Sequence, residues 1–400
     1  MPQRWWCLAA LTLARATMGF QFQSIAAVGP LIAAGLGLDK AQLGWLIGLY
    51  LLPGVVVALP GGLLGRRFGD KRLVLVGLAL MALGAAWLGL ADSFAAANAG
   101  RFVSGIGAVM LNVLMTKMVA DWFDGKERLL AMSVLINSWP VGIGIALLVI
   151  GPLGVQAGWP WGVVSSALFA AIGFVAVLTV YRAPPHTPQP AAAGLGLDVL
   201  TRKEWQLLAI GALPWLLYNA AFQIEISFLP SFLAESGFGV ARAGGLVAVN
   251  AVVFVVGVQL GGVVLKRARH PDRVCHLAIA AWCVTLLLLA AHSAPLPWIV
   301  LGGLPAAALV SLPAEFLRAE SRSAGMGVFF TIYYLGCALL PAAAGALYDV
   351  SGGPAALALA AGIAFLCAPI LWCFRRAMGS SVPLRAVVES AAGQASRPAE

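Results

Sequence analysis

Charge is scarce in this chain. Of 400 residues only 10% are Asp, Glu, Lys or Arg, against about 25% in ordinary soluble domains. A soluble fold of this length cannot cover its surface with so few charges, and a disordered chain carries more charge and less apolar content, so both classes are excluded. Histidine occurs four times and cysteine six times. Cys7, Cys275, Cys283, Cys337, Cys367 and Cys373 form no CxxC pair and read as small core hydrophobes, with neither a disulfide framework nor a metal site implied. There is no phosphate-binding P-loop, which excludes ATP as the driving force. No Ser/His/Asp set or metal cluster appears, so no enzyme, cofactor or metal is expected.

What remains is apolar. Hydrophobic residues make up 61% and mean hydropathy is +0.92. They come in near-continuous runs such as Leu73–Leu90 and Leu277–Ala291, not in the alternation of a membrane β-barrel. A helix needs about 20 mostly apolar residues to cross a bilayer. Such segments fall at about 5–34, 42–65, 73–91, 95–118, 130–151, 160–181, 206–234, 243–265, 274–292, 296–316, 324–347 and 353–374. The expected class is an all-α integral membrane protein with twelve transmembrane helices, numbered here as spans 1 to 12. Residues 1–182 would form one six-helix bundle, 183–203 a Pro-rich linker, 204–376 a second bundle, and 377–400 a polar tail without fixed structure.

Lysine and arginine set the orientation. With the N-terminus in the cytoplasm, 21 of the 25 Lys and Arg residues lie in the loops and tails of that side or at their edge, including Arg66, Arg67, Lys71, Arg72, Lys126, Arg128, Arg269, Arg273, Arg375 and Arg376. The opposite face keeps Lys40 and Arg242, and Arg15 and Arg101 lie inside spans. This bias places both termini inside, and the expected location is the inner (plasma) membrane. The net charge of +9 therefore reflects topology and not nucleic-acid binding. The N-terminal run, interrupted by Arg15, reads as an uncleaved first span.

The halves repeat. A shift of 202 residues lays Phe20-Gln21 on Phe222-Gln223, Lys40 on Arg242, and Asp70-Lys71 on Asp272-Arg273. Separately, Arg128-x-x-x-Met132 resembles Arg322-x-x-x-Met326. Two related six-span halves place a site between them near the membrane midplane.

Three signatures then resemble those of the major facilitator superfamily, over about residues 5–376. The loop Gly62-Leu63-Leu64-Gly65-Arg66-Arg67-Phe68-Gly69-Asp70-Lys71-Arg72 is similar to the family's G-x-L-[AG]-D-R-x-G-R-[RK] loop. It departs by placing Arg66 at the acidic position and Asp70 at the basic one, so the signs are exchanged at i,i+4 spacing. Arg101-x-x-x-Gly105-x-Gly107-Ala108 in span 4 resembles the family's R-x-x-x-G-x-G-[AG] element. Asp121-Trp122-Phe123 with Glu127-Arg128 resembles the W-F-x-x-x-E-R pattern of anion and nitrate/nitrite-type members. Gly151-Pro152-Leu153-Gly154 only partly matches the drug-antiporter element. The overall style is closest to cyanate and nitroimidazole-type permeases. The resemblance implies a rocker-switch secondary transporter whose cytoplasmic gate elements here are Gly62, Arg66, Arg67, Gly69, Asp70, Arg269 and Asp272.

Ionisable groups inside a span are costly and usually face a cavity. Arg15, Arg101 and Glu225 qualify. Two arginines would make the N-terminal half of the cavity positive and suited to a carboxylate or similar planar anion. The competing readings are that Arg101 caps carbonyls or orients the Pro140-kinked span 5, and that Arg15 snorkels. Gly105, Ala108 and Asn112 share the helical face of Arg101. Glu225, on one face with Tyr218 and Phe222, is the candidate proton-coupling group; a fixed ion pair and an outer-mouth position are its alternatives. Gln21, Asn112, Asn137, Tyr218, Asn219, Gln223, Asn250, Tyr333 and Tyr334 are further candidates for touching substrate, each set against a role in interhelical hydrogen bonding. Gln23 and Ser138 are candidates on the same footing. The expected function is proton-coupled transport of a small anionic solute by a monomer, whose partners are that substrate, the coupling proton and the lipid bilayer, with no nucleic acid. A drug/proton exporter is the alternative, and a non-transporting receptor or sensor on the same scaffold is the alternative of another class.

Overall fold

The computed structural model describes residues 2–57, 68–123, 125–184, 197–291, 300–318 and 321–379. Among them every regular element is helical. Ten helices are long and apolar enough to cross a membrane, and the bent pair Gln3–Ala27 and Gly29–Leu36 makes an eleventh span. Span 10 is short among the described residues, with Val300–Gly303 and Ala306–Ser311 separated by a turn. The tail from 380 onward and most of the linker lie outside the described residues.

The spans follow the sequence with local adjustments. Span 1 bends by 59° at Val28, before Pro30, which has no N–H to continue the helical ladder. Span 2 begins at Lys40, where Asp39 and Gln42 form a reciprocal cap. Its first helix ends at Leu49 and a short turn carries the chain through Pro53. Spans 3 to 6 are Asp70–Gly89, Phe94–Trp122, Gly125–Ala157 and Trp159–Val180. Spans 7 to 9 are Arg202–Leu233, Val240–Arg267 and Pro271–Ala290, and spans 11 and 12 are Arg322–Ser351 and Gly353–Met378. Outward-facing apolar side chains such as Leu83, Leu148, Leu168, Leu277 and Phe365 are exposed, as a lipid-facing surface requires.

Packing repeats with the sequence. Span 1 packs on spans 5 and 6, and span 3 on span 6; six spans later, span 7 packs on spans 11 and 12, and span 9 on span 12. The halves meet through the symmetric pairs 2 with 11 and 5 with 8. Glycines set these distances. A Cβ on Gly48 would lie 1.9 Å from the Ala338 carbonyl oxygen, and one on Gly345 1.9 Å from that of Lys40.

The face opposite the termini is held shut across the halves. Lys40 Nζ donates to Glu235 Oε1 at 2.7 Å, and Tyr348 donates to the same carboxylate. The backbone N–H groups of Lys40 and Ala41, at the positive end of span 2, donate to Asp349 at 2.9 Å each. On the terminal face, by contrast, the described ion pairs stay within one half. Arg4 pairs with Glu127, Lys117 with Asp70, Arg318 with Glu204, and Arg375 with Asp272 and Glu315.

Candidate functional site

A cavity of about 220 Å3 lies between the halves. Its walls come from spans 1, 2, 4 and 5 on one side and 7, 8, 10 and 11 on the other. Eight of the residues singled out from the sequence line it: Arg15, Asn112, Asn137, Tyr218, Asn219, Gln223, Tyr333 and Tyr334.

Arg15 is placed by backbone contact. A Cβ on Gly19 would meet the Trp139 carbonyl oxygen at 2.2 Å, and one on Gly142 that of Ala16 at 2.1 Å, so spans 1 and 5 touch directly. The guanidinium reaches across this seam. Nη1 donates to the Leu135 carbonyl at 2.9 Å and Nη2 to Asn112 Oδ1 at 2.9 Å, while Nε is buried without an acceptor. Asn112 in turn donates to the Tyr334 hydroxyl at 2.8 Å. The Tyr334 ring is wedged against span 2, where a Cβ on Gly54 would fall 2.3 Å from it. One chain of contacts thus runs from Arg15 in the first half to Tyr334 in the second. No carboxylate among the described cavity-lining residues balances Arg15.

Three other polar groups of the wall each direct a donor at a backbone carbonyl. Tyr218 donates to the Gly302 carbonyl at 2.8 Å, Asn219 to Trp215 at 2.7 Å and Gln223 to Cys337 at 3.0 Å. Asn137 Oδ1 accepts from Gln259 Nε2 at 2.8 Å, which ties span 5 to span 8.

Four expected positions are elsewhere. Arg101 is 0% exposed and does not line the cavity. Its Nε donates to Leu46, Nη1 to Gln21 and Nη2 to Phe22, all backbone carbonyls, at 2.9, 2.9 and 2.8 Å. Its guanidinium lies 4.4 Å from the Tyr50 ring centroid. The physical reason is the broken end of span 2. Tyr50 N–H turns to Gly48, so the Leu46 carbonyl, which an unbroken helix would bond to it, accepts from Arg101 instead. Gln21 is buried beside this clamp, donating to the Met81 carbonyl and accepting from Tyr50. Gln23 donates to the Ile226 carbonyl across the halves, and Ser138 to Leu135.

Glu225 is also 0% exposed and lies within the second half, behind the wall. It accepts from Asn250 Nδ2 at 2.8 Å and Trp282 Nε1 at 3.1 Å. Asn250 is thereby drawn away from the cavity as well. Trp282 contacts the Tyr218 ring at 5.4 Å between centroids, so one side chain separates Glu225's partner from the cavity. Among the described residues the carboxylate has no ion pair with an arginine, and its full burial does not fit an outer-mouth position.

Of the expected gate elements, Gly62, Arg66 and Arg67 lie outside the described residues. Gly69 takes φ 86° at the start of span 3, a conformation that favours glycine. Asp70 pairs with Lys117 of span 4, and its counterpart Asp272 pairs with Arg375 of span 12. Arg269 is exposed just before span 9.

The sequence reading passed over the aromatic wall. Phe22, Trp139, Trp215, Phe254 and Phe330 line the cavity. A signal was available: tryptophan belongs at membrane interfaces, yet Trp139, Trp215 and Trp282 fall in the middle of their spans.

The family model of the Major Facilitator Superfamily matches residues 11–310. A 3-(3-hydroxy-phenyl)propionate transporter of Escherichia coli is 25% identical over 84% of this chain and 84% of its own length. A 2-nitroimidazole transporter of Escherichia coli is 25% identical over 90% of this chain and 94% of its own. An uncharacterised MFS-type transporter of Mycobacterium tuberculosis is 31% identical over 41% of this chain, a match that spans only 28% of that protein. Among solved structures, a nucleoside transporter superposes with a TM-score of 0.74 at 15% identity, over 93% of this chain and 99% of that one.

Proposed function

The chain belongs to the major facilitator superfamily, and on that premise we propose that it carries a small anionic solute across the inner (plasma) membrane by alternating access, with a proton as the coupling ion. Both termini are cytoplasmic in this reading. Residues 1–182 and 204–376 rock about the cavity while 183–203 links them, and the cavity is closed to the outside by the Lys40, Glu235 and Asp349 contacts.

The observation that carries the anion is Arg15. It lines the cavity, its two bonded partners are neutral, and no carboxylate is among the described residues of the wall. A guanidinium has five N–H donors, and two protein acceptors leave capacity for a ligand. A substrate carboxylate completes this arrangement with charge-assisted hydrogen bonds. The relative named for 3-(3-hydroxy-phenyl)propionate transport has a carboxylate substrate by that name, which supports the same direction.

Glu225 supports the proton. Its two partners both donate, as an ionised carboxylate needs, and Asn250 Oδ1 is buried without a donor. Turning the Asn250 amide over presents that oxygen to a protonated Glu225. The site can therefore satisfy both protonation states, and Tyr218 and Trp282 connect it to the cavity wall.

The test is uptake of labelled acetate, benzoate and succinate into proteoliposomes, with and without an inward-directed proton gradient. The gradient should accelerate uptake of at least one anion, Arg15→Gln should abolish it, and Glu225→Gln should remove the gradient response while sparing exchange. Uptake indifferent to Arg15→Gln overturns the anion site. Wild-type uptake indifferent to the gradient overturns proton coupling.

A further inference from the structure

We propose that the substrate is an aromatic monocarboxylate, a compact flat ring bearing a single negative charge, whose carboxylate is held between Arg15 of the first half and Trp215 of the second. This rests on the anion reading above and narrows it on separate grounds.

The first ground is the wall. Nine of its 22 residues are Phe, Tyr or Trp, against 9% in the whole chain. Ring pairs occur on both sides of the seam. Phe22 and Trp139 contact each other in the first half, tilted by 38° at 5.3 Å between centroids. Phe222 and Phe254 stack at 4.0 Å in the second. Such surfaces favour offset-stacked and edge-to-face contacts with another ring over contacts with a saturated chain.

The second ground is the donor inventory. The Tyr218 hydroxyl and one amide N–H each of Asn219 and Gln223 are already bonded to backbone carbonyls. A sugar or other polyhydroxylated ligand would strip its many hydroxyls of water and find few partners, which is costly. Two N–H groups of wall residues are buried and unpartnered, Arg15 Nε and Trp215 Nε1. Both can only donate, so they call for a ligand acceptor. They sit in opposite halves and are bridged by rings: Trp215 lies 6.1 Å from Tyr333, and Tyr333 5.0 Å from Tyr334, which holds Asn112 beside Arg15. In the proposed pose the carboxylate gives one oxygen to each half, so its binding would draw the halves together.

The third ground is size and charge. The cavity, at about 220 Å3, falls below the roughly 300–1,000 Å3 of drug-sized pockets. That suits one ring with a short acidic arm. Arg15, the single cation among the described wall residues, balances one negative charge, and a dianion would keep a second charge unpaired in a low-dielectric site.

The experiment is a ligand series against the purified full chain in lipid nanodiscs, read by calorimetric binding and by thermal stabilisation. The probes are benzoate, hexanoate, succinate and benzamide. Benzoate should bind at least tenfold more tightly than hexanoate or succinate and at least thirtyfold more tightly than benzamide. Hexanoate or succinate equalling benzoate overturns the aromatic assignment while leaving the anion reading intact. Benzamide equalling benzoate overturns the anion reading while leaving the aromatic pocket. Binding of none of the four overturns both. Trp215→Phe keeps the ring and loses the N–H; it should weaken benzoate about tenfold and preserve the preference over hexanoate. Unchanged benzoate affinity in that variant overturns the placement of the carboxylate, and the wild-type series decides the ligand class independently of how any variant folds.

Discussion

Replacing Arg101 separates a structural cation from a transport cation. The guanidinium holds three backbone carbonyls, one from span 2 and two from span 1, and is fully buried beside Tyr50. Arg101→Leu removes all three bonds. Hydrogen bonds to a charged group are worth roughly 1.5–3 kcal/mol each, and a buried acceptor left unpaired costs about 1–3 kcal/mol. The Gln21 carbonyl keeps a second donor in Ser24, which softens one of the three losses. Removing the buried charge also removes its own desolvation cost. The net expectation is a loss of about 3–5 kcal/mol. Arg101→Lys should recover only part of it, because one ammonium cannot reproduce a planar fork spanning three acceptors. The assay is thermal unfolding of the detergent-purified protein, paired with transport normalised to the folded fraction. Stability should fall in both variants, more in Arg101→Leu, while the folded fraction retains ligand affinity. An unchanged Tm with abolished affinity would refute the reasoning and return Arg101 to the substrate site.

Further perturbations test the cavity and the closed face. Asn112→Asp places a carboxylate where Asn112 Oδ1 now accepts from Arg15 at 2.9 Å. It should supply an internal counter-ion and weaken anion binding at least tenfold with no loss of Tm, checked by calorimetry. Asp349→Asn weakens the grip of the Lys40 and Ala41 N–H groups by about 1–2 kcal/mol. Opening of that face should rise roughly five- to thirtyfold, seen as faster maleimide labelling of Ser231→Cys in a background without the native cysteines. Gly48→Ala puts a methyl group 1.9 Å from the Ala338 carbonyl oxygen. It should wedge spans 2 and 11 apart, raising the same labelling rate and slowing transport at least tenfold while ligand affinity changes little.

The membrane architecture was readable because each span is a local property: about twenty apolar residues bounded by charge, Gly or Pro. The two-half repeat was readable for the same reason, through Phe20-Gln21 and Phe222-Gln223 or Asp70 and Asp272. Partnership was not. Arg101 looks like a site residue because a lone arginine in an apolar run is costly, yet what it binds depends on span 2 breaking before Pro53 and on how span 1 is turned toward it. Glu225 shares a helical face with Tyr218 and Phe222, but Asn250 and Trp282 claim it from two other spans. In sequence Asp70 lies one turn from Arg66, whereas Lys117 reaches it from span 4. Mid-span tryptophans were legible as anomalies, but only packing turns Trp139 and Trp215 toward one cavity.

Counterflow of labelled benzoate in proteoliposomes, wild type against Arg15→Gln, tests the central claim most directly. Vesicles loaded with unlabelled benzoate should accumulate label transiently with the wild type and not with Arg15→Gln, although both proteins reconstitute and unfold at similar temperatures. Equal counterflow by the two proteins would contradict an anion site anchored on Arg15.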